Sequence, residues 1–240
     1  MAPVIKALSI VPDIDSLICV TAQHRQMLDQ VLHLFSIQPD IDLNLMKHDQ
    51  NLSQLTGEIF KALDPVLQRL QPDWILVQGD TTTVMAAGLL AFYHKIRIGH
   101  VEAGLRTHDK WQPFPEEINR RVTSVVADLH FSPTAFSREN LLREGIEDWR
   151  IRITGNTVVD ALYEIAARRT PDPIRKLFAD LQISTGERQL ILVTAHRREN
   201  FGKPLEDICS ALKDLAERFQ DTHQIVYPVH LNPNVKEPVH

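Results

Sequence analysis

WILVQGDTTTVMAAGLLAFYHKIRIGHVEAGLR, residues 74–106, decides the fold. Trp74–Val77 is a short apolar run rich in branched residues and reads as a buried strand. It stops at Gly79-Asp80, and Thr81-Thr82-Thr83 leads into the helical stretch Val84–His94. Asp80 and the threonines are suited to cap that helix, because their side-chain oxygens accept the unpaired N–H groups of its first turn. Arg97–Val101 reads as the next strand and ends at Glu102-Ala103-Gly104. Strand, helix and strand within about thirty residues make one parallel crossover unit.

Parallel strands end at a common edge, and ligands of such sheets bind in the crevice beyond it. Asp80 closes one strand, and His100 and Glu102 close the next, so an aspartate, a histidine and a glutamate should meet at one cleft. In the plainer reading, Asp80 only caps its helix and His100 is a hydrogen-bonded core histidine. Three acid–base side chains at two successive strand ends favour a site.

Outward from this unit the alternation is regular. The chain opens in a helix with Pro3 near its start, and the first clear strand is Ser16–Val20. A doubly wound domain normally opens with a strand that lies mid-sheet, so the opening strand and its ligand loop are expected to be missing. The helix from Gln26 presents Met27, Leu28, Val31, Leu32 and Phe35, and Ile41–Met46 reads as a strand. Leu52, Leu55, Ile59, Leu63, Val66, Leu67 and Leu70 form a helical stripe, and both stripes are read as core. Pro115-Glu116-Glu117 opens a helix to Val126, where carboxylates also suit the helix dipole. Spacing does not say which of the two glutamates turns inward.

A second alternation starts near Gly186, with strand Gln189–Thr194, helix Leu205–Phe219 and strand Gln224–Val229. The class is therefore α/β, with two Rossmann-like, doubly wound domains. Residues 1–172 form the first, 173–188 connect, and 189–240 begin a second that is expected to be incomplete, since two strands and a helix bury too little to stand alone. The strand end Ala195-His196-Arg197-Arg198-Glu199-Asn200 precedes a glycine loop and a helix. Guanidinium forks there suit an anion, phosphate above all. His230 ends the next strand.

Composition narrows the classes. A chain of 240 residues with 26 Lys and Arg against 31 Asp and Glu shows no basic block for nucleic acid. No apolar run approaches the roughly 20 residues of a membrane span. Cys19 and Cys209, far apart in apolar surroundings, read as reduced cytosolic core residues. No Walker loop, no G-x-G-x-x-G and no Cys/His metal spacing is present.

Seven segments then meet a family: VTAQHRQMLDQ (20–30), VQGDTTT (77–83), GHVEAGLRT (99–107), PFPEEINRR (113–121), ITGNTVVDAL (153–162), VTAHRREN (193–200) and YPVHLNPNV (227–235). Together, and in order from Met1 to His240, they closely resemble the bacterial non-hydrolysing UDP-N-acetylglucosamine 2-epimerases. The resemblance implies a glycosyltransferase-B-like two-domain fold, usually homodimeric and cytoplasmic. The implied reaction interconverts UDP-N-acetylglucosamine and UDP-N-acetylmannosamine for cell-surface polysaccharide synthesis, with no cofactor and no metal. It places Asp80, Glu102, Glu116 and His196 in the catalytic set, and Arg197, Arg198 and His100 on the substrate. It also implies an activating second UDP-N-acetylglucosamine at Gln23, Gln26, Glu116, Arg198 and His230, although Lys47-His48-Asp49-Gln50 does not clearly supply an arginine that some relatives place nearby.

Two departures bear on activity. Family members begin with a strand and a G-T-R-P-E-x-x-K loop, and Met1 corresponds to a point just after it. Their second domain continues to an S-G-G-x-x-E segment beyond the last residue here. The 240 residues alone are therefore expected to be an internal fragment with little or no turnover. Open alternatives are a hydrolysing epimerase, a glycosyltransferase of the same fold, or a non-catalytic remnant that binds nucleotide sugars.

Overall fold

The computed structural model of the chain describes residues 1–22, 25–45, 50–183, 186, 188–195, 201–229, 235–236 and 239. The chain divides into two compact units, Met1–Ala167 and Arg168–His240.

The first unit is built on four parallel strands in sequence order: β3 (Trp74–Gln78), β4 (Arg97–Val101), β5 (Leu129–Ser132) and β6 (Ile151–Ile153). Two shorter strands, β1 (Cys19–Val20) and β2 (Ile41–Asp42), pair with each other in parallel. The helices are α1 (Ala2–Ser9), α2 (Arg25–Phe35), α3 (Leu52–Leu70), α4 (Thr82–Tyr93), α5 (Glu116–Val126), α6 (Ala135–Arg143) and α7 (Thr157–Ala166). Register is set by Gln78 opposite Val101 and by His100 opposite His130. The carboxyl ends of β3, β4 and β5 therefore lie side by side.

Local sequence explains the helix starts. Asn51 and Gln54 cap α3 reciprocally, and the Thr81 hydroxyl accepts from Val84 N at 3.4 Å to cap α4. Leu63 and Leu67 of α3 and Val84, Ala87, Leu90 and Ala91 of α4 pack on Val77, Ile98 and Ala127 as one core cluster. Burying that apolar surface is what fastens the crossover helices to the sheet.

Three expectations need correction. Residues 16–18 and 43–45 lie outside the strands, so Ser16–Val20 and the described part of Ile41–Met46 contribute only two residues each. Among the described side chains of α2 only Phe35 is buried, while Met27 and Val31 are 52% and 47% exposed; helical periodicity marks which face is apolar, not whether anything covers it. Cys19 is exposed, because a two-stranded ladder leaves its side chain on β1 uncovered, and Cys209 is half-buried.

The second unit holds α8 (Asp172–Asp180), β7 (Gln189–Leu192), α9 (Lys203–Arg218) and β8 (His223–Val226), with β7 and β8 parallel. Leu205 and Val235 are its buried apolar residues among those described. No helix among the described residues is long and apolar enough to cross a membrane.

Candidate functional site at the ends of β3 and β4

Past Gln78 the backbone turns at Gly79, whose φ of 82° lies where a side chain is strained. Gly79 N donates to Val101 O at 3.0 Å, so the turn is tied to the neighbouring strand. It delivers Asp80 to helix α5. Asn119 Nδ2 donates to the Asp80 carbonyl at 2.9 Å, and Arg120 Nη2 donates to carboxylate oxygen Oδ2. Asp80 is thus not the helix cap, a task Thr81 performs. Its side chain stays 29% exposed and open to a ligand.

Glu102 leaves β4 with φ 66°, a left-handed backbone that costs an L-residue about 1–2 kcal/mol. Gln78 Nε2 donates to Glu102 Oε2 at 3.2 Å and to Thr157 Oγ1 at 3.2 Å, so the end of β3 orients the carboxylate that follows β4. Adjacent strands lie about 4.8 Å apart, which places Asp80 and Glu102 on neighbouring strand ends at one edge.

The two glutamates of α5 separate cleanly. Glu117 is fully buried, accepts from Thr107 N at 3.1 Å and His108 N at 3.3 Å, and lies 3.5 Å from Arg120 Nη1. It holds the loop after β4. Glu116 is half-buried with no hydrogen-bond or ion-pair partner among the described residues. It sits one helical turn before Arg120 and on the same face. Asp80 and Glu102 therefore lie at the carboxyl edge of β3 and β4, and Glu116 lies on the face of α5 that brings Arg120 to Asp80.

His100 is fully buried, and its Nε2–H donates to the Gly79 carbonyl at 2.8 Å. Burial pushes its pKa down to about 4, so the ring is neutral and supports the Gly79-Asp80 turn from below. His130, opposite it on β5, is equally buried and pushed down to about 3, by burial first and by His100 next.

These histidines set an acid limit. The unfolded chain protonates them near pH 6.5, the folded unit only near 4 and 3, so below pH 6.5 the unfolded state binds more protons and stability falls with pH. Between pH 6.5 and 5, above the ordinary carboxylate range, the expected slope is up to about 1.4 kcal/mol per pH unit per histidine. Urea melts across that interval would measure it, with His130→Leu giving a shallower slope than wild type.

Asn119 and Arg120 were not singled out by sequence, and Glu117 entered only as the alternative to Glu116. The available signal was the spacing of Arg120 from Glu116, four residues on one helix. Gln23, His196, Arg197, Arg198, His230 and Lys47-His48-Asp49 lie outside the described residues. Gln26 falls in the first turn of α2.

Comparison with known proteins now has a site to refer to. A family model described as UDP-N-acetylglucosamine 2-epimerase matches residues 6–240. The UDP-N-acetylglucosamine 2-epimerase of Escherichia coli K12 is 54% identical over 241 residues, covering 100% of this chain and 64% of that protein. The crystal structure of the Neisseria meningitidis UDP-GlcNAc 2-epimerase bound to UDP-GlcNAc superposes with a TM-score of 0.90 at 46% identity, over 100% of this chain and 64% of that one. A putative UDP-N-acetylglucosamine 2-epimerase from Listeria monocytogenes gives 0.90 at 48% identity, over 100% and 61%. The α/β architecture with parallel sheets is shared with these glycosyltransferase-B-type structures. The chain spans less than two thirds of the length of the relatives it matches.

Proposed function

The chain belongs to the UDP-N-acetylglucosamine 2-epimerase family, and on that premise we propose that its residues serve the interconversion of UDP-N-acetylglucosamine and UDP-N-acetylmannosamine. The observation that carries the reading is the pair of carboxylates, Asp80 and Glu102, at neighbouring strand ends, with Arg120 of α5 on Asp80.

Carbon 2 of the sugar adjoins an acetal carbon, so its proton is not acidic and simple deprotonation is too slow. Elimination solves this. A base takes the carbon-2 proton, the bond from carbon 1 to the diphosphate oxygen breaks, and UDP leaves with the electron pair as the carbon 1–carbon 2 double bond forms. UDP then adds back to carbon 1 of the 2-acetamidoglucal while an acid protonates carbon 2 from the other face. The route needs acid–base groups near carbon 2, for which Asp80, Glu102 and Glu116 are proposed. It also needs cationic donors on the departing diphosphate, the role proposed for His196, Arg197 and Arg198. An activating second UDP-N-acetylglucosamine at Gln23, Gln26, Glu116, Arg198 and His230 rests on the family resemblance.

A homodimer and a cytoplasmic location follow from the same reading. In support of the dimer, α4 and α5 pack together and leave Phe92, Tyr93, Ile118 and Val125 exposed.

The test is proton NMR of the protein with UDP-N-acetylglucosamine in deuterated water. Deuterium is expected at carbon 2 of both epimers without net UDP release. Exchange is scored at stoichiometric protein over days, so that slow turnover still registers. Net release of UDP with free N-acetylmannosamine would mark a hydrolysing enzyme, and no exchange by folded protein that binds UDP-N-acetylglucosamine would overturn the reading.

A further inference from the structure

One guanidinium faces two carboxylates in this site. Arg120 is 11% exposed and lies between Asp80, reachable at 29%, and Glu117, fully closed at 0%. Its Nη1 side faces Glu117 Oε2 at 3.5 Å and its Nη2 donates to Asp80 Oδ2. Glu117 is itself fixed by the backbone N–H groups of Thr107 and His108 and by its place in the first turn of α5. Were the arginine to swing toward solvent, the buried Glu117 would be left with its two backbone donors and Arg121 Nε at 3.7 Å, and losing the nearer cation is costly.

We propose that Arg120 is a positioning residue for the sugar chemistry: anchored by Glu117, it holds the Asp80 carboxylate in a single orientation toward the cleft. The proposal rests on the function proposed above. Asn119 supports it from the same helix by fixing the Asp80 backbone carbonyl at 2.9 Å, so both ends of Asp80 are set by α5. Lysine cannot replace this geometry fully. A planar fork presents separate N–H groups to two carboxylates at once, whereas an ammonium is a point charge on a flexible stem.

The experiment compares wild type, Arg120→Met, Arg120→Lys, Asp80→Asn and the Asp80→Asn/Arg120→Met pair, by carbon-2 exchange kinetics, thermal melts and crystal structures. Misplacing a reacting group by about 1 Å costs on the order of 100-fold, so R120M is expected to lower kcat about 100-fold with KM changed less than about threefold. R120K should recover part of that loss. In the D80N background, R120M should add less than about twofold, because the group it positions is already gone. In the R120M crystal structure the Asp80 carboxylate should turn away from its wild-type orientation. Should R120M fail to fold, R120K carries the same comparisons.

A loss that multiplies with D80N would show that Arg120 acts independently of Asp80 and overturn the proposal. So would a rise in KM with kcat unchanged, which is the mark of a substrate contact. Absence of exchange in wild type that binds UDP-N-acetylglucosamine would overturn the proposed function instead, and the orientation of Asp80 in the R120M structure would still decide the role of Arg120.

Discussion

Gly104→Ala is expected to unfold the first unit or lower its stability by about 3–5 kcal/mol, a large part of the roughly 5–15 kcal/mol of an ordinary domain. Gly104 has φ 89°, and a Cβ built there would lie 2.2 Å from the Ser137 carbonyl oxygen, 2.8 Å from its carbon and 3.1 Å from Leu141 Cγ. The first two are backbone atoms inside α6 and have no rotamer to escape into. Moving α6 would also break the bond from Asn140 Nδ2 to the Gly104 carbonyl, 3.0 Å long and buried, and would open the cluster of Ala103, Leu141 and Ile151.

Two companion variants separate the causes. Gly145→Ala meets nothing within 4 Å at φ 86°, so it carries backbone strain alone, about 1–2 kcal/mol. Gly99→Ala meets Leu76 Cδ2 at 2.5 Å and Phe131 Cε2 at 3.2 Å, both side-chain ends that can shift, for about 1–3 kcal/mol. Urea melts of the three should rank Gly104 far above the others. An equal cost for G104A and G145A would show that α6 is not held as described. The position matters beyond stability, because Glu102 is two residues earlier in the same turn.

What could be read from residues alone followed burial and direction. The unit 74–106 was legible because the apolar run Trp74–Val77 forms a parallel strand, although only Val77 in it is buried, and because Thr81 is a cap type just before a helix. The site edge was legible for the same reason: parallel strands place the residues after them together, whatever those residues are. Partner choice was not legible. Asp80 and Thr81 are both good caps, and only the approach of Arg120 from α5, forty residues later, decides that Asp80 is taken elsewhere. Glu116 and Glu117 look alike in sequence, and burial of one against Thr107 and His108 separates them. The burial of His100 was not legible, because strand alternation gives two faces without saying which is closed. His130 drew no notice, since its meaning comes from register with His100.

Asp80→Asn and Glu102→Gln are each expected to lower epimerisation about 1,000-fold while leaving melting temperature nearly unchanged, within the range removal of a general acid or base produces. The amides keep the local geometry. An asparagine oxygen can still accept from Arg120 Nη2, and a glutamine oxygen can still accept from Gln78 Nε2. What is lost is the capacity to take a proton. The two losses need not be alike, because inversion requires one group on each face of carbon 2. A variant lacking the group on the mannosamine face can still eliminate UDP from UDP-N-acetylglucosamine and return a deuteron to the same face. It would exchange deuterium into UDP-N-acetylglucosamine while forming no UDP-N-acetylmannosamine, and the opposite variant would show the mirror pattern starting from the other epimer. Which of D80N and E102Q gives which pattern assigns the faces, with Glu116→Gln as the third member of the series. A variant of Asp80 or Glu102 that epimerises at the wild-type rate would remove that residue from the chemistry, and two such variants would leave the edge of β3 and β4 without a reaction to perform.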